Sequence, residues 1–127
     1  MVWKLWKRKS SLVNLKKLIY LISPNVITNK FYSDLKIVLA TRKVKFFQLR
    51  LKNLSKGQII KIGKKIKFIT KKYNVKLIIN DSSIIAKKIK ADGCHIGQLD
   101  ASVLKVKKHL INKIIGVTCH NSKKLAK

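Results

Sequence analysis

Residues 44–79, VKFFQLRLKNLSKGQIIKIGKKIKFITKKYNVKLII, hold one complete strand–helix–strand unit, and the rest of the chain reads outward from it. Val44 to Leu49 is β-branched and aromatic, the composition of a strand. Ser55 with Gln58 three residues on has the spacing of a capping box, in which each side chain satisfies a backbone N–H that the first helical turn leaves unpaired. Ile59, Ile62, Ile66, Ile69 and Tyr73 then recur at steps of three and four, one apolar stripe of an amphipathic helix. Gly63 interrupts that helix, a mild cost that permits close packing on a sheet. Val75 to Ile79 returns to an apolar run, the next strand. A strand, a helix and a strand at this spacing predict a βαβ unit with parallel pairing.

The flanks repeat the pattern. Lys17 to Ile22 is a short apolar strand closed by Ser23-Pro24, and Phe31 to Thr41 carries apolar residues at 31, 35, 38 and 39, a short amphipathic helix. Downstream, Ser83 to Lys90 reads as a helix and Gly93 to Ile96 as a strand. Asp100 opens a helix through Leu110, Lys113 to Val117 is a fifth strand, and Asn121 caps a further helix reaching Lys127. The expected organisation is a basic lead-in over residues 1–16 and one α/β domain over 17–127, with about five strand–helix units in a parallel sheet. No apolar run approaches the roughly 20 residues of a membrane span, and the start lacks the apolar core of a signal peptide. Trp3, Leu5 and Trp6 among lysines suit an interfacial helix less well than a loosely docked extension. Cys94 and Cys119 form no CxxC pair and no disulfide framework, which fits a reducing cytoplasm.

With 31 Lys+Arg against four acidic residues, the net charge is +27. The cations are mostly lysines spread over the whole chain, with Arg8, Arg42 and Arg50 the arginines, and Ile, Asn and Lys dominate throughout. Base-reading proteins favour arginine and clustered aromatics. Drift in composition therefore explains the charge better than a designed patch, and no specific nucleic-acid partner is expected beyond weak, salt-sensitive attraction. Glu is absent, leaving Asp34, Asp81, Asp92 and Asp100 as the carboxylates. Survivors of such drift are candidates for work that Lys or Asn cannot do.

The unusual residues cluster at strand ends. Gln48, Arg50 and Lys52 follow the second strand, Asn80-Asp81 the third, Gly97, Gln98 and Asp100 the fourth, Thr118 and His120 the fifth. The carboxyl ends of parallel strands are where α/β barrels and open parallel sheets bind ligands. Alternation puts Val44, Phe46, Gln48, Arg50 and Lys52 on one side and Phe47, Leu49 and Leu51 on the other. With the first set facing inward, an amide, a guanidinium and an ammonium meet at one mouth, groups suited to phosphate. Asp81 and Asp100 fit Mg2+, which takes one or two carboxylates together with substrate phosphates. Each residue also has a plainer reading: Asn80-Asp81 as an Asx turn, Asp100 as its own helix cap, Arg50 and Lys52 as a solvated edge. It is their coincidence on one face that favours a site. Zinc held by Cys94-His95 and Cys119-His120 fails on geometry, because adjacent strand residues point to opposite faces.

Gln48-Leu49-Arg50-Leu51-Lys52, Leu77-Ile78-Ile79-Asn80-Asp81, Ala91-Asp92-Gly93-Cys94-His95-Ile96-Gly97-Gln98-Leu99-Asp100 and Ile115-Gly116-Val117-Thr118-Cys119-His120 resemble successive signatures of the thiamine-phosphate synthase family. Leu18-Ile19-Tyr20-Leu21-Ile22 is similar to that family's first strand. The resemblance implies a TIM-type (β/α)8 barrel, here truncated to about five βα units. It also implies a Mg2+-dependent transferase that joins hydroxymethylpyrimidine diphosphate to thiazole phosphate and releases diphosphate. By position, it implies that Gln48, Arg50, Lys52, Asn80 and Thr118 bind the pyrimidine diphosphate and that Asp81 and Asp100 hold the metal. Leu51 stands where the family usually has Glu, Ser82 where Arg often follows Asn-Asp, and Thr118 where Ser is usual. The phosphate loops of strands six to eight have no counterpart, so an exposed sheet edge, marginal stability and no synthesis by residues 1–127 alone are expected. A thiazole tautomerase using His120, and a nonenzymatic basic nucleic-acid-binding relic of the barrel, are the alternatives.

Overall fold

The computed structural model describes residues 18–97 and 103–118. Elements alternate in the expected order: β1 (Ile19–Ile22), α1 (Asn29–Ala40), β2 (Val44–Leu49), α2 (Lys56–Lys72), β3 (Lys76–Asn80), α3 (Ser83–Lys88), β4 (Gly93–Ile96), α4 (Val103–His109) and β5 (Ile114–Val117). The strands form one parallel sheet in the order β1-β2-β3-β4-β5. That order separates two architectures. A doubly wound sheet reverses direction at a switch point and places helices on both faces. Right-handed crossovers that never reverse keep every helix on one face, and a sheet covered on one side curls into a barrel wall. The described residues therefore build five consecutive strands and four intervening helices of the TIM-type arrangement.

The helix-facing side is dry. Phe47, Leu49, Leu77, Ile79, Cys94 and Ile96 from the strands meet Leu35 and Leu39 of α1, Ile66 and Ile69 of α2, Ile85 and Ala86 of α3 and Val106 of α4 in one cluster. Leu51 packs against that cluster, as its parity predicts. Val44 departs from its parity: it is buried in the same cluster, at the point where the β1–β2 register shifts between Ile19 and Tyr20. Ile78, on the opposite face, is also buried, whereas Ile114 on that face is half exposed, so the inner layer closes less completely towards β5.

Helix boundaries follow local chemistry. The Ser55–Gln58 capping box is present with both hydrogen bonds. Helix α1 starts two residues before the expected Phe31, because the Thr28 side chain accepts from the Phe31 amide and caps the helix at Asn29. Each described helix is followed by a residue in the left-handed region, and none is glycine: Arg42, Asn74, Lys90 and Asn112, at φ of 62°, 57°, 56° and 60°. After α2 and α3 the exit is a Schellman motif, with Val75 N–H donating to Thr70 C=O and Ala91 N–H to Ala86 C=O. No helix among the described residues is long and apolar enough to cross a membrane.

Candidate active site

The rim at the carboxyl ends of the strands is built from β2 outward. The Ser23 amide donates to the Gln48 carbonyl at 2.9 Å, tying the end of β1 to the end of β2. The Ser23 hydroxyl accepts from the Arg50 amide at 2.9 Å and donates to the Arg50 carbonyl at 3.3 Å. Ser23, read from sequence only as a strand breaker, is thus a buried clamp that fixes the backbone from which the exposed Arg50 side chain leaves. Lys52 lies on the same exposed exit. Gln48 sits deeper, 4 % exposed, and its Nε2 donates to the Tyr20 hydroxyl at 2.9 Å. Burial pushes the Tyr20 phenol up, against the lowering effect of that hydrogen bond. Gln48 lies in register with Ile22 on one side and Ile78 on the other, on the face away from the helices.

On β3, Asn80 follows Ile79, the partner of Leu49, so Asn80 and Arg50 leave neighbouring strands at the same level. Asn80 Nδ2 donates to Asp81 Oδ2 at 2.9 Å. Asp81 is exposed, with φ of 67°, a left-handed conformation that Asp tolerates better than most residues. Its amide donates to the His95 carbonyl at 2.7 Å, which fixes the turn to β4. The Ser82 amide donates to the Asn80 backbone carbonyl at 2.9 Å, a backbone γ-turn centred on Asp81. The cap of α3 is Ser82, whose hydroxyl accepts from the Ile85 amide, so the Asp81 carboxylate is not the helix cap.

β4 contributes a residue that the strand-end survey passed over. His95 pairs in register with Asn80 and Gly116, and its Nε2 lies 2.8 Å from Thr118 Oγ1. Room for the ring comes from Gly116, where a Cβ would stand 2.5 Å from His95 Nδ1. His95 therefore joins the Asp81 backbone on one side to the Thr118 hydroxyl on the other, across three strands. In the sequence His95 stands inside the family-like stretch from Ala91 to Asp100 and beside Cys94, with no role at the rim. Extending the strand alternation to β4, with Gly93, His95 and Gly97 on the inner face, would have found it. Cys94, its neighbour, faces the helices; burial first, then the Asp81 charge, pushes its thiol up to about 11, which disfavours the thiolate.

Asp92, another surviving carboxylate, serves the opposite end of the sheet. Its Oδ2 accepts from the Leu77 amide at 2.8 Å and from Lys67 Nζ at 3.1 Å, fastening the start of β4 to β3 and α2. That end of a barrel carries stability rather than chemistry. Gln98, Asp100, Cys119 and His120, together with the 1–16 lead-in and the helix expected from Asn121, lie outside the described residues. Of the expected site, the structure places Gln48, Arg50, Lys52, Asn80, Asp81 and Thr118 at one end of the sheet.

Five sequential parallel strands joined by four helices, with a polar, partly cationic rim at the strand ends, define a protein of the TIM-type fold. A family model described as Thiamine monophosphate synthase matches residues 19–127, and the chain belongs to that family. It is 57% identical over 113 residues to a thiamine-phosphate synthase of Pelagibacter ubique, covering 88% of this chain and 55% of that protein. It is 35% identical over 111 residues to the thiamine-phosphate synthase of Erythrobacter litoralis, covering 85% of this chain and 52% of that one. Among solved structures it resembles a thiamine phosphate pyrophosphorylase from Pyrococcus furiosus, with a TM-score of 0.68 and 26% identity over 82% of this chain and 52% of that one. The chain thus spans about half the length of the relatives it matches.

Proposed function

We propose that this chain carries the diphosphate- and Mg2+-binding half of a cytoplasmic thiamine-phosphate synthase, which couples hydroxymethylpyrimidine diphosphate to thiazole phosphate. The observation that carries the reading is the joint emergence of Arg50, Asn80, Asp81 and Thr118 from neighbouring strand ends in a chain of this family. β2 and β5 are three strand spacings apart, about 14 Å along the sheet, a distance that barrel curvature shortens across the mouth. Arg50 and Lys52 would hold the diphosphate, the guanidinium as a fork and the ammonium as a point charge. Gln48, anchored on Tyr20, would contact the pyrimidine end from below. Nε2–H of His95 donating to Thr118 Oγ1 would leave the hydroxyl hydrogen for a phosphate oxygen.

The donor set fits magnesium. Asp81 offers hard carboxylate oxygens on an exposed rim beside an amide, and no group of three or more His, Cys, Asp or Glu gathers among the described residues. Mg2+ suits such a site because it takes few protein ligands and fills its octahedron with water and phosphate. Asp81 and Asp100 are the proposed ligands. Bound there, the ion would neutralise charge building on the diphosphate as it departs. The protein groups would hold that leaving group in place, so that charge separation at the pyrimidine methylene meets preorganised cations rather than water.

The test is calorimetric titration of the chain with hydroxymethylpyrimidine diphosphate, with and without Mg2+. Binding that depends on Mg2+ and falls about tenfold or more in Arg50→Ala and in Asp81→Asn is expected, since each removes a charge-assisted contact. Equal binding by wild type and both variants would overturn the assignment.

A further inference from the structure

The outer surface carries a second concave feature, remote from the strand ends. Between α1 and the carboxyl-terminal half of α2 lies an open groove of about 360 Å3, lined by Tyr32, Lys36, Lys65, Phe68, Lys72 and Tyr73 among others. Among the described residues, no carboxylate lines it. Lys65 Nζ stands 5.6 Å from the Tyr32 ring centre and Lys72 Nζ 5.9 Å from that of Tyr73, which holds the two cations over aromatic faces at the groove wall. Phe68 is 78% exposed, although it belongs to a helix whose other face is dry.

Helical spacing explains the arrangement. Lys61, Lys64, Lys65 and Lys72 lie three, four and seven positions from Phe68, so cations surround one solvated ring on a single face. Lysine in a last helical turn has a structural reason to be there, the partial negative charge of the helix end, and Lys72 is such a residue. Lys65 is two turns further back and Lys36 is on another helix, so that reason does not cover them. Compositional drift accounts for lysines but not for an unburied Phe at their centre.

We infer that the α1–α2 groove binds single-stranded nucleic acid without regard to sequence, with a base stacked on Phe68 and phosphates held by Lys36, Lys65 and Lys72. A solvated ring with lysines on the neighbouring turns of the same face suits a single strand, because every base has a π-face and every nucleotide a negative charge. Lysines in place of arginine forks give no base discrimination, in keeping with the absence of specific recognition. An acidic protein segment would complement the charge but has no need of the exposed ring. An anionic membrane would need a wider apolar face than one phenyl group.

Fluorescence anisotropy of the full 127-residue chain with a labelled oligothymidylate and with an abasic strand of equal length separates stacking from charge. At fixed salt, the thymidylate strand should bind about tenfold more tightly than the abasic strand, the scale of one stacked base. Phe68→Ala should remove that advantage and leave abasic binding unchanged, while Phe68→Trp keeps it. Circular dichroism of the variants checks that the fold persists, as the exposure of Phe68 leads one to expect. Equal affinity for both strands, or a thymidylate advantage that survives Phe68→Ala, would overturn the inference. Binding of anionic vesicles that is lost in Phe68→Ala, with strand binding intact, would hand the groove to a membrane and overturn it equally.

Discussion

Gly93 is the position at which the β4–β5 half of the sheet can be tested with one methyl group. A Cβ there would stand 2.3 Å from the Ile114 carbonyl oxygen, 2.7 Å from Ile114 Cβ and 2.9 Å from its carbonyl carbon. Two of these three atoms are backbone, so no rotamer relieves the clash. Ordinary carbon–oxygen contacts begin near 3.3 Å, and β5 must therefore retreat by about 1 Å at this point. The Ile114 amide donates to the Asp92 carbonyl at 2.9 Å, and a shift of that size carries the bond past the useful limit of about 3.2 Å. Overpacking of this kind costs about 1–3 kcal/mol, and a lost backbone hydrogen bond about 0.5–1.5 kcal/mol more. Gly93→Ala should thus lose about 1.5–4.5 kcal/mol, a large share of the roughly 5–15 kcal/mol that holds a domain folded. Gly63→Ala is the internal control. Its Cβ would meet Ile89 Cδ1 at 2.8 Å, the far end of a flexible side chain, and the helix gains about 1 kcal/mol from alanine. That variant should stay within about 1 kcal/mol of the parent. Urea unfolding of both variants and the parent, followed by circular dichroism, measures the difference directly. A Gly93→Ala chain as stable as the parent, or a Gly63→Ala chain equally damaged, would show that the sheet does not have this spacing.

Asp92 titrates into stability. Burial alone would raise its pKa, but the Leu77 amide, the Lys67 hydrogen bond and the charges of Lys67 and Lys76 outweigh burial and lower it. Its contribution is then complete above the unfolded carboxylate value of about 3.9 and is lost as pH falls through the lower folded value. Asp92→Asn should cost about 1–3 kcal/mol at pH 7, by urea midpoint, with the gap to wild type closing below about pH 4; a gap independent of pH would refute the linkage. Lys90 holds φ of 56° at the exit of α3, so Lys90→Gly should stabilise the chain by about 0.5–1 kcal/mol, and a loss in thermal midpoint would contradict it. Cys94, with its thiol pushed up to about 11 and buried, should resist iodoacetamide at pH 8 until urea unfolds the chain; peptide mapping that finds it alkylated at the rate of a free thiol would place it elsewhere.

How far the sequence carried the fold depends on where each element's cause lies. The Ser55–Gln58 box and the apolar steps of α2 are local, and both appear where the spacing put them. The centre of the buried stripe, however, lies at Gly63, Ile66, Ile69 and Thr70, with Ile59 and Ile62 only partly covered. Its position is set by what the helix packs on, which periodicity does not report. The helix exits were least legible. Left-handed Arg42 and Lys90 carry no glycine or asparagine signal; the Schellman turn after α3 holds Lys90, and Arg42 donates its amide to the Leu39 carbonyl. The strand-end cluster was legible because alternation and strand order are rules of the backbone. The roles of Ser23, His95 and Asp92 were not, because each acts through a partner at least fifteen residues away.

Asp81 and Asp92, and likewise Gly93 and Gly116, divide by which end of the sheet they serve. Asp92 and Gly93 are adjacent in the most distinctive stretch of the sequence, yet both act on architecture: one pins β4 to β3 and α2, the other lets β5 approach. Two residues on, His95 turns the same strand towards the rim and meets Thr118 over Gly116. A strand of four residues thus converts close packing at its start into placement of a hydroxyl at the far end, with the ring of His95 filling the slot that Gly116 leaves. Because β4 is tied at both ends, a change in its packing at Gly93 must alter where His95 stands, and through it the hydroxyl of Thr118. Stability and site geometry are coupled most tightly along this strand. On β2 they are separate: Phe47 and Leu49 fill the helix-facing core, while Arg50 leaves from a backbone held independently by Ser23.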